Sequence, residues 1–310
     1  MTRPSLRAAL VAVLLPAAAS FLNGCAEQES QQGGPPSKLS AVDDLGATVT
    51  LDAAPLRLVS LAPSNTEILF AMGLGESVVG VTKFCNYPPA TAGITPVAGY
   101  SDLSVETVLT VEPDLVVAAR GNDIEGLESL RQLAVPVFAL DVQSIDQLLN
   151  AIERLGRLTG ADSSAAALAA DLSRRAEAVR QRVSAVERRP RVMWASVQEP
   201  IYTAGAHTII DDVLTRAGGD NLGRRADTPW PQVSLETVVD WQPEVIVTTY
   251  MAGGADAVGA VIEQLQGLSG WKELPAVKTG RVHYVEADWL SRPGPRLIDA
   301  LEQVAELICP

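Results

Sequence analysis

The sequence predicts an α/β protein with two Rossmann-like lobes, each built on a parallel sheet, joined by a single long rigid α-helix. At 310 residues the chain suits two modest domains better than one. Short, wholly apolar segments alternate with helical ones, which is typical of parallel strands in a sheet covered on both faces. A helix–Pro–strand passage occurs twice, at residues 103–119 and 233–249, with Ser, Glu, Thr and Pro at matching places. Between the two copies, residues 161–189 contain neither Gly nor Pro, which favours one continuous helix.

The beginning of the chain is predicted to be a targeting segment rather than part of the fold. Two arginines precede an apolar stretch over residues 8–22, which is too short to span a bilayer comfortably. The stretch ends in Leu-Asn-Gly-Cys, which resembles a lipobox with Cys25 as the lipid-modified residue; ordinary secretion and, after it, an unprocessed membrane anchor are the alternatives. Residues 26–37 are polar and rich in Gln, Gly and Pro, which indicates a flexible tether. We therefore expect an extracytoplasmic protein, periplasmic or at the cell surface, held at a membrane by lipid.

These patterns divide the chain into five segments. They are a signal peptide at 1–24, a lipidated cysteine and flexible tether at 25–40, an N-terminal lobe at 41–143, a helical segment with the interlobe linker helix at 144–189, and a C-terminal lobe at 190–310.

The N-terminal lobe opens with a predicted hairpin and continues as alternating strands and helices. The pattern predicts a hairpin over 42–51, strands over 56–61, 77–82 and 133–140, and a helix–Pro–strand unit over 105–119. Pro63 stops the first of these strands, Ser64 or Asn65 can cap the helix that follows, and Gly73 ends it.

The helical segment contains two predicted helices. The first runs from Ser144 and is ended by Gly160. The second, over 161–189, would be roughly 40 Å long, which is more than one small lobe needs. We interpret it as a strut between the lobes; an ordinary surface helix is the alternative.

The C-terminal lobe is predicted to have the same alternation of strands and helices as the N-terminal lobe. The pattern predicts strands over 191–196 and 281–286, helices over 207–219, 260–268 and 295–308, and the second helix–Pro–strand unit over 234–249.

Composition excludes several classes of function. The net charge of −13 argues against nucleic acid, whose phosphates require a basic face. The chain has two histidines and no GxSxG, Walker A or GxGxxG motif, and a zinc site would need a cluster of ligands that is absent. The preferred interpretation of His207 and His283 is structural or solvated histidine. Cys85 and Cys309 could pair in an exported protein, but two cysteines do not make a framework.

Aromatic residues are concentrated in predicted loops of both lobes. They are Phe84, Tyr87, Tyr100, Tyr202, Trp230 and Trp289. Loops after parallel strands gather at one edge of the sheet, where ligands bind in such folds. Any one of these rings could serve packing alone. Together they predict a cleft between the lobes with a wall for a large, flat, partly apolar ligand.

Three long stretches carry a family resemblance. They are RLVSLAPSNTEILFAMGLGESVVGVTKFCNYPP in the N-terminal half, and TPWPQVSLETVVDWQPEVIV and ADWLSRPGPRLIDAL in the C-terminal half. From about Val42 to its end, the chain resembles the substrate-binding proteins of ABC importers that carry cobalamin and iron chelates. The resemblance implies two lobes bridged by one rigid helix, with little hinge closure and the ligand between them. The PWPQVS and DW…R…PR stretches favour the cobalamin branch of this family.

The resemblance also implies ligand contacts at matching positions. These are Phe84, Tyr100, Tyr202, Trp230, Asp288, Trp289 and Arg292. Phe84 replaces a tyrosine and Tyr100 a tryptophan of the pattern. The loop from Asp288 to Arg292 would contact the amide side chains of the corrin, which both donate and accept hydrogen bonds. The disulfide in the C-terminal lobe of the family is not matched by Cys85 or Cys309.

Each copy of the repeated passage carries a glutamate at the same place, and a role for these two glutamates would explain the repeat. Glu106 and Glu236 match exposed glutamates, one per lobe, that dock on arginines of a two-fold symmetric permease. The alternative is that each glutamate is a first-turn acid favoured by the helix dipole, and both roles can hold at once. The resemblance implies a monomeric, non-catalytic receptor with cobalamin as its transported ligand and no resident cofactor.

Three alternatives remain open from the sequence. In the first, the same scaffold binds a ferric siderophore or haem. Cationic side chains in the cleft would favour such a ligand. The candidates are Arg120, Arg224, Arg225 and Arg292. An exported enzyme and an adaptor that binds another protein through the aromatic loops are the other two.

Overall fold

The structure, a computed structural model, describes residues 38–99, 101–196, 199–249 and 257–309. The predicted signal peptide, Cys25 and most of the tether lie outside the described residues, as does Tyr100. None of the helices in these four ranges is long and apolar enough to cross a membrane.

A five-stranded parallel sheet forms the centre of the N-terminal lobe. It follows the predicted hairpin, formed by β1 (Leu39–Val42) and β2 (Thr48–Leu51). The strands of the sheet are β3 (Leu58–Ser60), β4 (Val78–Thr82), β5 (Thr95–Ala98), β6 (Leu115–Ala119) and β7 (Val137–Leu140), in the order β5-β4-β3-β6-β7. Along β6, Leu115 and Val117 pack into one hydrophobic cluster and Val116 into another. The sheet is therefore covered on both faces, as the apolar strands predict.

The edge strand β5 is not predicted by the sequence pattern. It contains Pro96, which lacks a backbone N–H and is rare in central strands. Its place at the edge of the sheet tolerates that missing donor.

Helices α1 (Pro63–Ala71), α2 (Val105–Leu109) and α3 (Ile124–Gln132) belong to the same lobe. The predicted start of α1 is wrong, because Ala62 is the N-cap and Pro63 the first helical residue. Asn65 lies buried inside the helix, and its carboxamide donates to the Val117 and Ala118 carbonyls at 3.2 and 2.9 Å. The side chain binds the end of β6 and is therefore not available as a cap.

Helix α3 is a further difference from the sequence pattern. The strand predicted at 133–140 is shorter in the structure. The chain remains helical to Gln132 and then turns through Ala134 at a φ of 60°, so the first predicted strand residues belong to this turn. Strand β7 accordingly begins only at Val137.

The two helices of the helical segment are α4 (Ile145–Thr159) and α5 (Asp162–Ser184). The Ser144 hydroxyl caps α4 by accepting the Gln147 N–H, and Gly160 ends it at a φ of 71°. Helix α5 has 23 residues and is shorter than predicted, at about 34 Å. It ends at Ser184, before the predicted Arg189, and in the chain that follows Arg188 donates to Glu244 with two contacts of 2.9 Å.

A four-stranded parallel sheet forms the centre of the C-terminal lobe. Its strands are β8 (Arg191–Trp194), β10 (Asp220–Asn221), β12 (Val245–Thr248) and β13 (Val282–Tyr284), in the order β10-β8-β12-β13, and β9 (Ile201–Tyr202) pairs separately with β11 (Gln232–Val233). The helices are α6 (Ile209–Arg216), α7 (Leu235–Trp241), α8 (Ala257–Gly267), α9 (Pro275–Lys278), α10 (Ala287–Leu290) and α11 (Leu297–Ile308).

Helix α5 connects the two lobes. It packs on α4 of the helical segment along one side and on α11 of the C-terminal lobe along another. The Arg175 guanidinium fixes the second contact by donating to Asp299 at 2.6 Å and to both carboxylate oxygens of Glu302 at 2.9 and 2.6 Å. The predicted linker helix is confirmed.

The repeated passage has the same structure in both lobes. Ser104 caps α2 and Ser234 caps α7, each accepting the N–H of a threonine three residues on. Arg57 donates from Nε to the Glu112 carbonyl at 3.1 Å, and Arg191 donates from Nε to the Gln242 carbonyl at 2.9 Å. The 130-residue offset of the sequence is therefore an offset between equivalent structural units.

The carboxylate of Glu244 makes stability depend on pH. Hydrogen bonds from Arg188 lower its pKa from an ordinary value of 4.5 to about 2, helped by the Arg191 N–H at 2.9 Å and opposed by burial. This contribution is present above pH 4.5 and is lost as the pH falls through about 2. We expect Glu244→Gln to lower the free energy of unfolding by about 1 kcal/mol at pH 7, since Arg188 is largely exposed. Urea unfolding at several pH values should show the deficit shrinking toward pH 2.

The exposed Glu76 provides the control for this prediction. Glu76→Gln should leave the pH profile of stability unchanged. A deficit in Glu244→Gln that is equal at pH 7 and pH 2 would contradict the assigned cause.

Candidate functional site

A cavity of about 680 Å³ is lined by residues of both lobes. Its N-terminal wall includes Ala119 and Leu140, the last residues of β6 and β7, so it lies at the carboxyl edge of the first sheet. Its C-terminal wall includes His207, Trp230 and Ser291. This is the position at which parallel α/β folds bind ligands, and the predicted cleft between the lobes is confirmed.

Buried amides make the N-terminal wall rigid. Asn65 holds the end of β6, as described above. The Asn122 amide donates to the Leu61 carbonyl at 3.0 Å, and its oxygen accepts the Ala119 N–H at 2.7 Å. The loops after β3 and β6 are thus tied together before any ligand arrives.

The indole of Trp230 stands on the C-terminal wall and is 51% exposed. Its ring meets Trp194 edge-on, with centroids 6.1 Å apart and planes at 80°. The flanking carbonyls of Pro229 and Pro231 accept the N–H groups of Gly205 and Thr203 at 2.8 and 3.1 Å. The loop is thereby fixed on the lobe while the ring faces the cavity.

Gly205 is required for this arrangement. A Cβ at this position would lie 2.2 Å from the Thr228 carbonyl oxygen. Any other residue would push the Trp230 loop away from the lobe.

The structure does not bring all the predicted aromatic residues into the cavity wall. Phe84 and Tyr202 are exposed at 48% and 41% and are not part of the lining. Trp289 is partly buried and packs against the main hydrophobic core. Their ligand contacts, and that of Tyr100, remain predictions.

Asp288 and Arg292 form a hydrogen-bonded ring with Asn86 of the other lobe. Arg292 donates to Asn86 Oδ1 at 2.6 Å and pairs with Asp288 at 2.7 Å, while Asn86 Nδ2 donates to Asp288 at 3.2 Å. Ser291 and Pro293, on either side of Arg292, line the cavity. The ring therefore borders the cavity. Asn86 is not predicted from the sequence, although it lies in the same loop as Phe84.

Three of the four arginines considered for an anionic ligand are paired with carboxylates. Arg120 pairs with Asp141 at 3.1 Å, and Arg292 with Asp288. Arg224 donates to both carboxylate oxygens of the buried Asp211, at 2.5 and 3.0 Å. Only Arg120 of these four lines the cavity.

The two histidines differ in their surroundings. His207 is exposed, in agreement with the interpretation as structural or solvated histidine, and it also lines the cavity. His283 lies half-buried in β13, where burial and then Arg281 lower its pKa. Among the described residues, no group of three or more His, Cys, Asp or Glu side chains is arranged to hold a metal ion.

Cys85 and Cys309, the two cysteines among the described residues, are both free thiols. Cys85 is buried in the N-terminal lobe beside the Thr66 and Thr82 hydroxyls, at 3.1 and 3.2 Å. Cys309 lies at the end of α11. The question left open by the sequence is thus answered: the two do not pair.

Glu106 and Glu236 occupy equivalent places on the two lobes. Each is exposed and is the second residue of a short helix, Glu106 in α2 and Glu236 in α7. Each lies two residues after the serine that caps its helix. Both can therefore be reached by a partner protein.

Residues 58–288 match the model of a family described as periplasmic binding protein. A vitamin B12-binding protein of Vibrio cholerae is 33% identical over 86% of this chain and 95% of its own. The crystal structure of the periplasmic vitamin B12 binding protein BtuF of Vibrio cholerae matches with a TM-score of 0.72 and 32% identity, over 82% of this chain and 96% of that one.

Two further relatives have other descriptions. An uncharacterised ABC transporter substrate-binding lipoprotein of Bacillus subtilis, YvrC, is 33% identical over 98% of both chains. A periplasmic haem-binding protein, RhuT, of Roseiflexus sp. RS-1 matches with a TM-score of 0.72 and 27% identity, over 83% of this chain and 98% of that one.

Proposed function

Because this chain belongs to the periplasmic binding protein family and is an ABC transporter substrate-binding protein, we propose that its ligand is cobalamin or a related corrinoid. The family consists of non-catalytic transport proteins, so the chain is not an enzyme.

The neutral character of the cavity carries this proposal. Its polar lining consists mainly of hydroxyls and carboxamides, contributed by Ser64, Asn65, Gln143, Thr228 and Ser291. The one arginine of the lining, Arg120, is paired with Asp141. Such groups match the peripheral amides of a corrin, which donate and accept hydrogen bonds. An anionic chelate would instead favour several uncompensated cations.

The fixed indole of Trp230 supports the same ligand. A rigid aromatic ring offers contact area to a flat macrocycle without a large cost in side-chain entropy. The relatives named as vitamin B12-binding proteins support it as well.

Ligand titration tests the proposal. We expect tag-free protein lacking residues 1–24 to bind one equivalent of cyanocobalamin in calorimetry, and to bind ferric hydroxamate and haem far more weakly. Trp230→Ala should weaken cyanocobalamin binding by about tenfold to a hundredfold. The control is Leu56→Ala, an exposed apolar residue before β3 and so at the opposite edge of the sheet, which should bind normally.

Two results would overturn the corrinoid assignment. One is the absence of heat and of any spectral change with cyanocobalamin. The other is tighter binding of haem or a ferric chelate, which would make that chelate the ligand of this scaffold.

We assign the extracytoplasmic location of the family to this chain and propose that lipid on Cys25 anchors it, with a lipoprotein relative in support. The tether at 25–40 then leads to lobes at 41–143 and 190–310, with the helical segment 144–189 between them.

A further inference from the structure

We propose that His207 supplies a nitrogen ligand to the metal at the centre of the bound macrocycle when that metal has an exchangeable axial position. This inference deepens the proposed function and rests on it. It concerns a coordination bond, whereas the proposed function concerns the enclosure of the ligand.

The imidazole is the only side chain of its kind in the described cavity wall. The other lining residues offer hydroxyls, carboxamides, a guanidinium, an indole or apolar groups. Imidazole is the ligand among these that suits late transition metals at neutral pH. A macrocycle supplies four equatorial nitrogens itself, so one protein donor completes the site and no cluster of ligands is needed.

The backbone at His207 is held in an unusual conformation. Its φ is 65°, in the left-handed region that costs roughly 1 kcal/mol for a residue with a Cβ. The other non-glycine residues with positive φ in the described chain are Glu112, Ala134 and Gln242, and each follows a helix. Left-handed residues are common there because they end helices. His207 precedes helix α6 instead, so that explanation does not apply to it.

Neighbouring contacts hold this conformation in place. The Thr208 hydroxyl donates to the Gly205 carbonyl at 3.0 Å and accepts the Asp211 N–H at 3.1 Å. The Gly205 N–H donates to the Pro229 carbonyl, which joins the His207 turn to the Trp230 loop. Imidazole and indole are thus positioned on one wall as a unit. Strain maintained by surrounding contacts at a ligand cavity indicates a functional role for the side chain.

The coordination step is a simple exchange. In aquocobalamin the bond between cobalt and its upper water breaks, a bond between cobalt and the neutral imidazole nitrogen forms, and the water leaves. No electrons are transferred. The cyanide of cyanocobalamin is a strong ligand that imidazole does not displace, so that form binds through enclosure alone.

The two forms of cobalamin therefore separate the inference from the proposed function. We expect tag-free protein to shift the visible spectrum of aquocobalamin toward that of its imidazole complex and to leave cyanocobalamin unshifted. His207→Asn keeps a polar side chain that tolerates the left-handed region. It should abolish the shift and weaken aquocobalamin binding by about tenfold or more, because loss of a metal ligand costs at least as much as loss of an outer-shell partner. Cyanocobalamin binding should weaken less than aquocobalamin binding, because only the aquo form loses a coordination bond in addition to a contact with the cavity wall.

The remaining outcomes distinguish failure of the His207 inference from failure of the proposed function. Binding of both forms without a shift, or a shift that persists in His207→Asn, overturns the inference and leaves the proposed function standing. A persistent shift that disappears in His283→Asn would assign the ligand to the other histidine. Failure of cyanocobalamin to bind overturns the proposed function; if haem binds instead, an iron spectrum that is identical in wild type and His207→Asn also overturns the inference.

Discussion

We expect replacement of Arg296 with methionine to lower the free energy of unfolding by about 3–5 kcal/mol. The guanidinium makes a bidentate pair with Glu67, with Nε–Oε2 at 2.9 Å and Nη2–Oε1 at 2.5 Å. The Glu67 side chain is 2% exposed and that of Arg296 15%. Methionine would leave a carboxylate buried without a partner, which is the costly way to break such a pair.

The same pair fixes the lobes relative to each other. Glu67 belongs to α1 and Arg296 directly precedes α11, so the pair joins elements 229 residues apart. The ring of Tyr87 lies 4.0 Å from the guanidinium on the N-terminal side. We therefore expect Arg296→Met to reduce the cooperativity of unfolding as well as its free energy.

Urea denaturation followed by tryptophan fluorescence and by circular dichroism measures both effects. The control is Arg174→Met, which removes an exposed pair with Asp171 on α5 and should cost less than about 1 kcal/mol. The double variant Glu67→Leu/Arg296→Met should recover much of the loss, because it leaves no buried charge. A loss below about 1 kcal/mol in Arg296→Met would show that the Glu67 carboxylate is solvated.

Much of the fold follows from local sequence patterns. A few neighbouring residues are enough to determine the apolar strands, the cap of α4 at Ser144, the end of α4 at Gly160 and the repeated units. The missed elements depend on distant parts of the chain. Strand β5 exists because β4 offers an edge, and Asn65 lies inside its helix because β6 offers two carbonyls.

The site divides in the same way. Trp230 could be predicted because prolines on both sides mark a rigid loop. Asn86 could not, because its partners Asp288 and Arg292 are more than 200 residues away and meet it only through the packing of the two lobes. The signal at His207 is a backbone dihedral angle, and neither composition nor periodicity encodes it.

The largest effect on transport is expected from the double variant Glu106→Ala/Glu236→Ala, which should abolish stimulation of the permease ATPase. Both carboxylates project from equivalent first turns of α2 and α7, and a two-fold symmetric permease could pair an arginine with each. Neither residue lines the cavity, so the affinity for cyanocobalamin should remain unchanged. ATPase activity of the cognate permease in nanodiscs, with and without ligand, measures the effect.

Glu125 separates docking from the alternative role of a first-turn acid. It is exposed and is the second residue of α3, after the capping Asp123, so it has the same relation to its helix dipole. Each of the three glutamates should contribute about 0.3–1 kcal/mol to stability through that dipole. Glu125→Ala should share this small loss and stimulate the ATPase normally, and each single variant at Glu106 or Glu236 should be impaired. If all variants stimulate the ATPase as well as the wild type does, docking by the repeated glutamates is contradicted. Their interaction with the helix dipole would then be sufficient to explain why Glu106 and Glu236 occur at these positions.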